Sequence, residues 1–194
     1  VPLGLESVEP CESCERIAQS LIDGEKRAVF LGNVATQSQH ATQIHALALE
    51  LGKLTGASVG FLGEAANTLG GHVAGVLPSN ANAVQMFEQP RKAYVLMGVE
   101  PELDCGNPQL VVGALKQANI IVMLSAFKHA PALEYADVIL PISPYTETAG
   151  TFVNTEGRVQ SFNGVVKSRG DARPAWKVLR VLGNVLNLDS FNYE

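Results

Sequence analysis

Five short apolar runs punctuate the chain: Arg27-Ala-Val-Phe-Leu-Gly32, Ser58-Val-Gly-Phe-Leu-Gly63, Ala93-Tyr-Val-Leu-Met-Gly98, Asn119-Ile-Ile-Val-Met-Leu-Ser125 and Asp137-Val-Ile-Leu-Pro141. Each is strand-sized and rich in β-branched or aromatic residues. None shows the in/out alternation of a half-exposed strand, so the pattern predicts a parallel sheet covered on both faces. Three of the runs end in Gly, which suits a tight turn at a strand's carboxyl end.

Helical periodicity falls between the runs. Residues 38–55 bring Ile44, Leu47, Ala48, Leu51 and Leu54 onto one face, with Ser38 as cap and Gly56 as stop. Residues 109–118 do the same with Val111, Val112, Leu115 and Ala118. A short amphipathic helix over 13–22, ended by Asp23-Gly24, precedes the first strand. This order predicts a doubly wound, three-layer α/β/α fold. Its mainly parallel five-stranded sheet has order 2-1-3-4-5 and right-handed crossovers.

Two segments depart from simple βα repetition. Residues 64–89 are rich in Gly, Ala and Asn, and predict short helices, such as one over 82–88, joined by loop; they form a candidate ligand or contact surface. After Pro141, two short runs flank Thr155-Glu-Gly157 and predict a β-hairpin with Gly157 in the left-handed position. A helix then starts near Pro174. The expected organisation is one Rossmann-like domain over 1–194, with an α/β core at 1–142 and a hairpin-and-helix appendage at 143–194. No internal repeat interrupts it.

Composition is compatible with this picture. A 46% hydrophobic and 17% charged chain of 194 residues can build its own core. A net charge of −5 disfavours nucleic acid or an anionic membrane as partner. No apolar run approaches the ~20 residues of a membrane helix. Val1-Pro-Leu-Gly-Leu-Glu6 does not read as a signal peptide, and the missing initiator Met predicts a piece of a longer protein. Three cysteines cannot all pair within one chain, which fits a reduced, cytoplasmic-type setting.

Candidate chemistry lies at the strand ends, where open α/β sheets bind ligands. The loop from Gly32 and Asn33 to Ser38 has small polar residues before a helix and could receive a phosphate, although it is neither a P-loop nor Gly-x-Gly-x-x-Gly. The loop from Gly98 through Glu100 and Pro101 to Asp104 carries three carboxylates, which repel phosphate. It reads either as a solvated acidic turn or as carboxylates facing a guanine edge. Cys11-Glu-Ser-Cys14 is a lone C-x-x-C, without matching ligands for zinc and without an upstream strand for a redox motif; it reads as small residues at a helix start. His40 and His45, five apart, fall on different helix faces. Glu147 and Arg158 could pair across the hairpin base, and Asn154 can bond its own turn. No metal site and no catalytic residue is indicated.

Ala136-Asp-Val-Ile-Leu-Pro141 followed by Glu147-Thr-Ala-Gly-Thr-Phe-Val-Asn-Thr-Glu-Gly-Arg-Val-Gln160 resembles the A-D-V-V-L-P and E-x-x-G-T-x-x-N-x-E-G-R-x-Q blocks of molybdopterin oxidoreductases. These include formate dehydrogenases, nitrate reductases and the large iron–sulfur subunit of respiratory complex I. The resemblance implies a formate dehydrogenase/DMSO reductase-like domain. In catalytic members the guanine arm of a molybdopterin guanine dinucleotide lies along the strand ends. Vestigial positions for it here are Gly32, Asn33, Gly98, Glu100, Pro101, Glu147, Gly150, Asn154 and Arg158.

Two departures bear on that cofactor. The family's Gly-x-Asn-Pro is Gly98-Val-Glu-Pro101 here, and its Thr-Glu-Thr-Ala is Lys128-His-Ala-Pro131. Both resemble the complex I branch, which keeps the fold without molybdenum. That branch implies a non-catalytic scaffold in NADH:quinone oxidoreductase, held among peripheral-arm subunits on the cytoplasmic side of the membrane. Its iron–sulfur clusters would sit in a preceding part of the parent, since three Cys cannot supply a four-Cys cluster. The alternatives are a fragment of a true molybdopterin guanine dinucleotide enzyme and a free-standing nucleotide-binding module.

Overall fold

The computed structural model describes residues 9–193; the signal-peptide reading of Val1 to Glu6 lies outside them. The described residues form two compact units, one from residues up to 75 with 152–160, the other from 76–151 with those from 161 onward.

The first unit begins with α1 (Glu12–Asp23) and β1 (Ala28–Leu31). After a short α2 (Asn33–Thr36) come α3 (Ala41–Thr55) and β2 (Ser58–Phe61). β1 and β2 pair in parallel, from Ala28 opposite Ser58 to Leu31 opposite Phe61. Arg27 closes α1 by donating from Nη1 to the carbonyls of Leu21 (3.0 Å) and Ile22 (2.9 Å), which the helix end leaves without partners. α3 ends as its sequence predicts, with Gly56 in the left-handed region at φ 70°.

The buried face of α3 differs from the predicted one. Ala48 is buried, whereas Leu51 and Leu54 are exposed. The reason is Gly52: a Cβ there would stand 2.6 Å from Val59 Cγ2. The helix approaches β2 through its small residues, which turns the leucines outward. Its start differs too. Ser38 Oγ accepts from His40 N, and the helix begins at Ala41, so Ser38 is not its cap. α4 (Thr68–Val73) ends the continuous part of this unit.

The second unit holds α5 (Ala83–Glu88), β3 (Ala93–Met97), α6 (Pro101–Asp104), α7 (Pro108–Leu115), β4 (Ile120–Ser125) and β5 (Val138–Pro141). The three strands form a parallel sheet of order β3-β4-β5. α5 starts with a capping box between Asn82 and Gln85, and α7 with Asn107 accepting from Leu110 N ahead of Pro108. These helices cover one face of the sheet. Tyr94, Leu96, Ile121 and Met123 pack there with Val111, Leu115 and Ala132. The Tyr94 hydroxyl is satisfied inside this layer, donating to Met86 O and accepting from Arg91 N.

The opposite face is open at Val95, Met97, Ile120 and Val138. β3 therefore alternates in burial although its sequence is apolar throughout, while Leu124 on the same face of β4 is fully buried. The predicted neighbours 2-1 and 3-4-5 are parallel ladders, a two-stranded sheet in the first unit and a three-stranded sheet in the second.

The hairpin of β6 (Gly150–Val153) and β7 (Val159–Phe162) follows, with Thr151 and Ser161 hydroxyls 2.9 Å apart. The returning chain bridges Ile142 to Arg173 and leads through Pro174 into α8 (Ala175–Val185), as the Pro predicts. Among the described residues, no helix is long and apolar enough to cross a membrane.

Candidate functional site

The carboxyl ends of β3 and β4 carry the densest chemistry. Gly98 turns off β3 at φ 62°, a left-handed conformation that favours glycine, while its amide extends the ladder to Leu124 O at 2.9 Å. Glu100 is then the N-cap residue of α6, and its amide donates to Asp104 Oδ2 at 2.7 Å. Pro101 fills the first helical position and is fully buried. Beyond β4, Ser125 Oγ donates to Phe127 O and accepts from Phe127 N, folding the chain back. A 3-10 turn (Pro131–Glu134) follows.

That fold-back delivers His129 to the acidic loop. Its Nε2 lies 2.9 Å from Glu102 Oε2, and its Nδ1 lies 3.9 Å from Glu100 Oε1. Tyr135 OH donates to the same Glu102 oxygen at 3.3 Å. Burial works against the charge on Glu102. The bonds from its own backbone amide, His129 and Tyr135 outweigh it and hold the carboxyl below its ordinary range. Burial pushes the Tyr135 phenol well above its ordinary value, and the charge of Glu102 adds to this, so at neutral pH the phenol remains a donor. Burial first, then the charges of Asp104 and Glu102, push the Cys105 thiol up.

The solvated acidic turn is thus corrected for Glu102, whose side chain is 23% exposed. Glu102 is half-buried and its Oε2 accepts from protein donors, whereas Asp104 stays exposed while its Oδ2 accepts from Glu100 N, and Glu100 is half-buried beside His129. The pairing joins the two segments that depart from the family pattern, Gly98 to Pro101 and Lys128 to Pro131. Sequence reasoning missed Tyr135 and the role of His129. Separations of 27 and 33 residues leave no local signal to find them.

The other predicted residues are placed as follows. Gly32 is the N-cap residue of the four-residue α2, without a side-chain cap, and Asn33 Oδ1 accepts from Val34 N. Beside them Gln37 Nε2 donates to Glu64 Oε2. The predicted long helix start after this loop is replaced by that single turn. Glu147 lies in a 3-10 turn upstream of β6, where its Oε2 accepts from Arg169 N at 3.1 Å. Glu147 precedes the hairpin rather than belonging to it. A Cβ on Gly150 would meet Phe162 Cζ at 2.5 Å, so the residue is small to admit that ring.

Asn154 behaves as predicted. Its Oδ1 accepts from Glu156 N (3.1 Å) and Arg158 N (2.9 Å), and its carbonyl accepts from Gly157 N, with Gly157 at φ 81°. This turn is tethered in the first unit, where Asn67 Oδ1 accepts from Val153 N at 2.8 Å. A cleft of about 410 Å³ lies beside it, lined by Gly63, Glu64, Ala66, Phe152, Asn154 and Gln160. The segment 64–89, flagged from its composition, contributes Glu64 and Ala66 to it.

A dinucleotide's diphosphate does not fit the β3 end. The side chains there are Glu100, Glu102 and Asp104, with no Lys or Arg among the groups that bond them, so a phosphate would meet like charge. Among the described residues no three His, Cys, Asp or Glu are grouped to hold a metal ion.

Comparison with known proteins bears on the whole chain. The profile of molybdopterin oxidoreductases matches residues 10–185. Relatives include a protein named "Putative formate dehydrogenase" from Staphylococcus aureus (strain MRSA252). It is 36% identical over 99 residues, or 51% of this chain and 10% of that protein. Another of the same name, from Staphylococcus haemolyticus (strain JCSC1435), is 34% identical over 103 residues, 53% of this chain and 10% of the relative. The match thus spans about a tenth of the length of these relatives. The parallel ladders, the hairpin turn built on Asn154 and Gly157 and the profile match over most of the sequence lead to one conclusion: the chain belongs to the molybdopterin oxidoreductase family.

Proposed function

We propose that this chain is a non-catalytic scaffold region of the large iron–sulfur subunit of NADH:quinone oxidoreductase, respiratory complex I. The observation that carries the reading is the contact of Glu102 with His129 and Tyr135. At the strand ends, where catalytic relatives would hold a guanine dinucleotide, the protein's own groups satisfy one another, and the remaining charge repels phosphate. In this reading Glu100, Glu102 and His129 brace two loops rather than hold a ligand. The partners are the rest of that large subunit and other peripheral-arm subunits, on the cytoplasmic side of the membrane. The five strands join as one sheet of order 2-1-3-4-5 in the parent. Acid treatment of the full-length protein tests this: neither molybdenum nor guanine nucleotide should be released, and stoichiometric release of either would overturn it.

The formate dehydrogenase names of the relatives, together with the cleft beside Asn154, favour a second reading, a piece of a molybdopterin guanine dinucleotide enzyme. Calorimetry with GDP separates the two. Binding with Kd below roughly 10 μM, about −7 kcal/mol, supports the second reading, and no measurable heat supports the first.

A further inference from the structure

The three cysteines occupy two kinds of environment. Cys105 is half-buried beside Asp104 and Glu102, in surroundings that keep its thiol protonated. Cys11 and Cys14 are exposed, one turn apart at the start of the twelve-residue α1, with their sulfurs 2.8 Å from each other. Cys11 is the N-cap residue, and its Sγ accepts from Cys14 N at 3.3 Å. The motif that reads in sequence as small residues at a helix start is a pair of thiols in contact.

We propose that Cys11 and Cys14 form a dithiol site that exchanges with small disulfides, Cys11 attacking and Cys14 resolving. The site is independent of the proposed function above. Two features select Cys11 as the attacking sulfur. The Cys14 thiol and then the Cys14 amide donate to it, which lowers its pKa below that of a free thiol and favours the thiolate. It also stands at the positive end of the helix dipole, against which Glu12 and Glu15 act in the opposite sense. The reaction balances without a metal. The Cys11 thiolate attacks one sulfur of a disulfide RS–SR, forming Cys11–S–SR and releasing RS⁻. Cys14 then loses its proton to solvent and attacks Cys11 Sγ, releasing the second RS⁻. Two thiols of the chain are oxidised and one small disulfide is reduced to two thiols. A two-residue spacing within a helical turn brings the two Cα atoms within reach of a disulfide. A metal site is the weaker fit, because among the described residues no third ligand stands by the pair.

The test treats the reduced chain with excess oxidised glutathione, quenches with acid and reads intact and peptide masses. The expected product is two hydrogens lighter, with Cys11 and Cys14 linked in one peptide, and dithiothreitol reverses it. Cys14→Ser should halt at a glutathione adduct on Cys11. Cys11→Ser keeps a good helix cap, so the fold persists, and should slow adduct formation at Cys14. Labelling of Cys11 by iodoacetamide at neutral pH should outpace that of Cys105 by about tenfold or more. Stable adducts on both Cys11 and Cys14 in the unsubstituted chain, or labelling of all three cysteines at one rate, would overturn the proposal.

Discussion

His129 Nε2 stands 2.9 Å from Glu102 Oε2, a contact that ties the loop after β4 to the loop after β3 across 27 residues of sequence. Both side chains are largely shielded from water, at 12% and 23% exposure. A carboxylate in such a place needs its hydrogen-bond partners, since leaving it without them costs more than the bond itself contributes. The contact explains how an acidic loop can be stable at the end of a buried sheet without a cation.

Removing one partner therefore should destabilise the second unit. His129→Ala leaves the Glu102 carboxylate with only Tyr135 and its own backbone amide and should cost about 1–3 kcal/mol. Urea unfolding followed by circular dichroism measures this, and an unchanged midpoint would contradict the role given to His129.

The ionisation of Glu102 predicts a pH dependence with a definite sign. Its folded value lies below its unfolded one, so its contribution is complete above the ordinary carboxylate value near 4.3. The contribution is lost as pH falls from there through the lower folded value. Unfolding midpoints recorded down that range should drop more steeply for the natural chain than for Glu102→Gln.

Tyr135 works in the other direction. Its folded value lies above its unfolded one, so its contribution is complete below about pH 10 and is lost as pH rises further. An alkaline absorbance titration should show a component later than that of an ordinary phenol. Tyr135→Phe should delete that late component and leave the earlier ones.

The hairpin turn offers a test of local structure. Asn154→Ala removes the acceptor for two backbone amides and should cost about 1–2 kcal/mol. Gly157→Ala forces a Cβ into a left-handed position and should cost about 1 kcal/mol or more. Combining the two should give less than the sum of the separate losses, since both act on one turn.

The core of the second unit should respond to loss of volume. Leu115 and Met123 are fully buried on facing elements, α7 and β4. Leu115→Ala should cost about 2–5 kcal/mol. A value below 1 kcal/mol in thermal or urea unfolding would mean that the site collapses around the smaller residue.

Local interactions made much of this molecule legible in its sequence. The five strands, the stop at Gly56, the left-handed Gly157 and the self-bonded turn at Asn154 depend on residues a few positions apart. Backbone sterics and short-range hydrogen bonds decide such features, and both are written in residue type and spacing. What needed the tertiary structure was every choice between faces and partners. Periodicity assigned Leu51 and Leu54 inward, but the close approach of Gly52 to Val59 turned them out. Nothing local to Glu147 announces its partner, and chain return brought the Arg169 amide to it across 22 residues. Glu100, Glu102 and Asp104 read as a solvated turn or as a face for a guanine edge, and only the fold-back after Ser125 put His129 and Tyr135 against Glu102. These outcomes depend on groups tens of residues apart competing for one place, and no local pattern records which of them arrives.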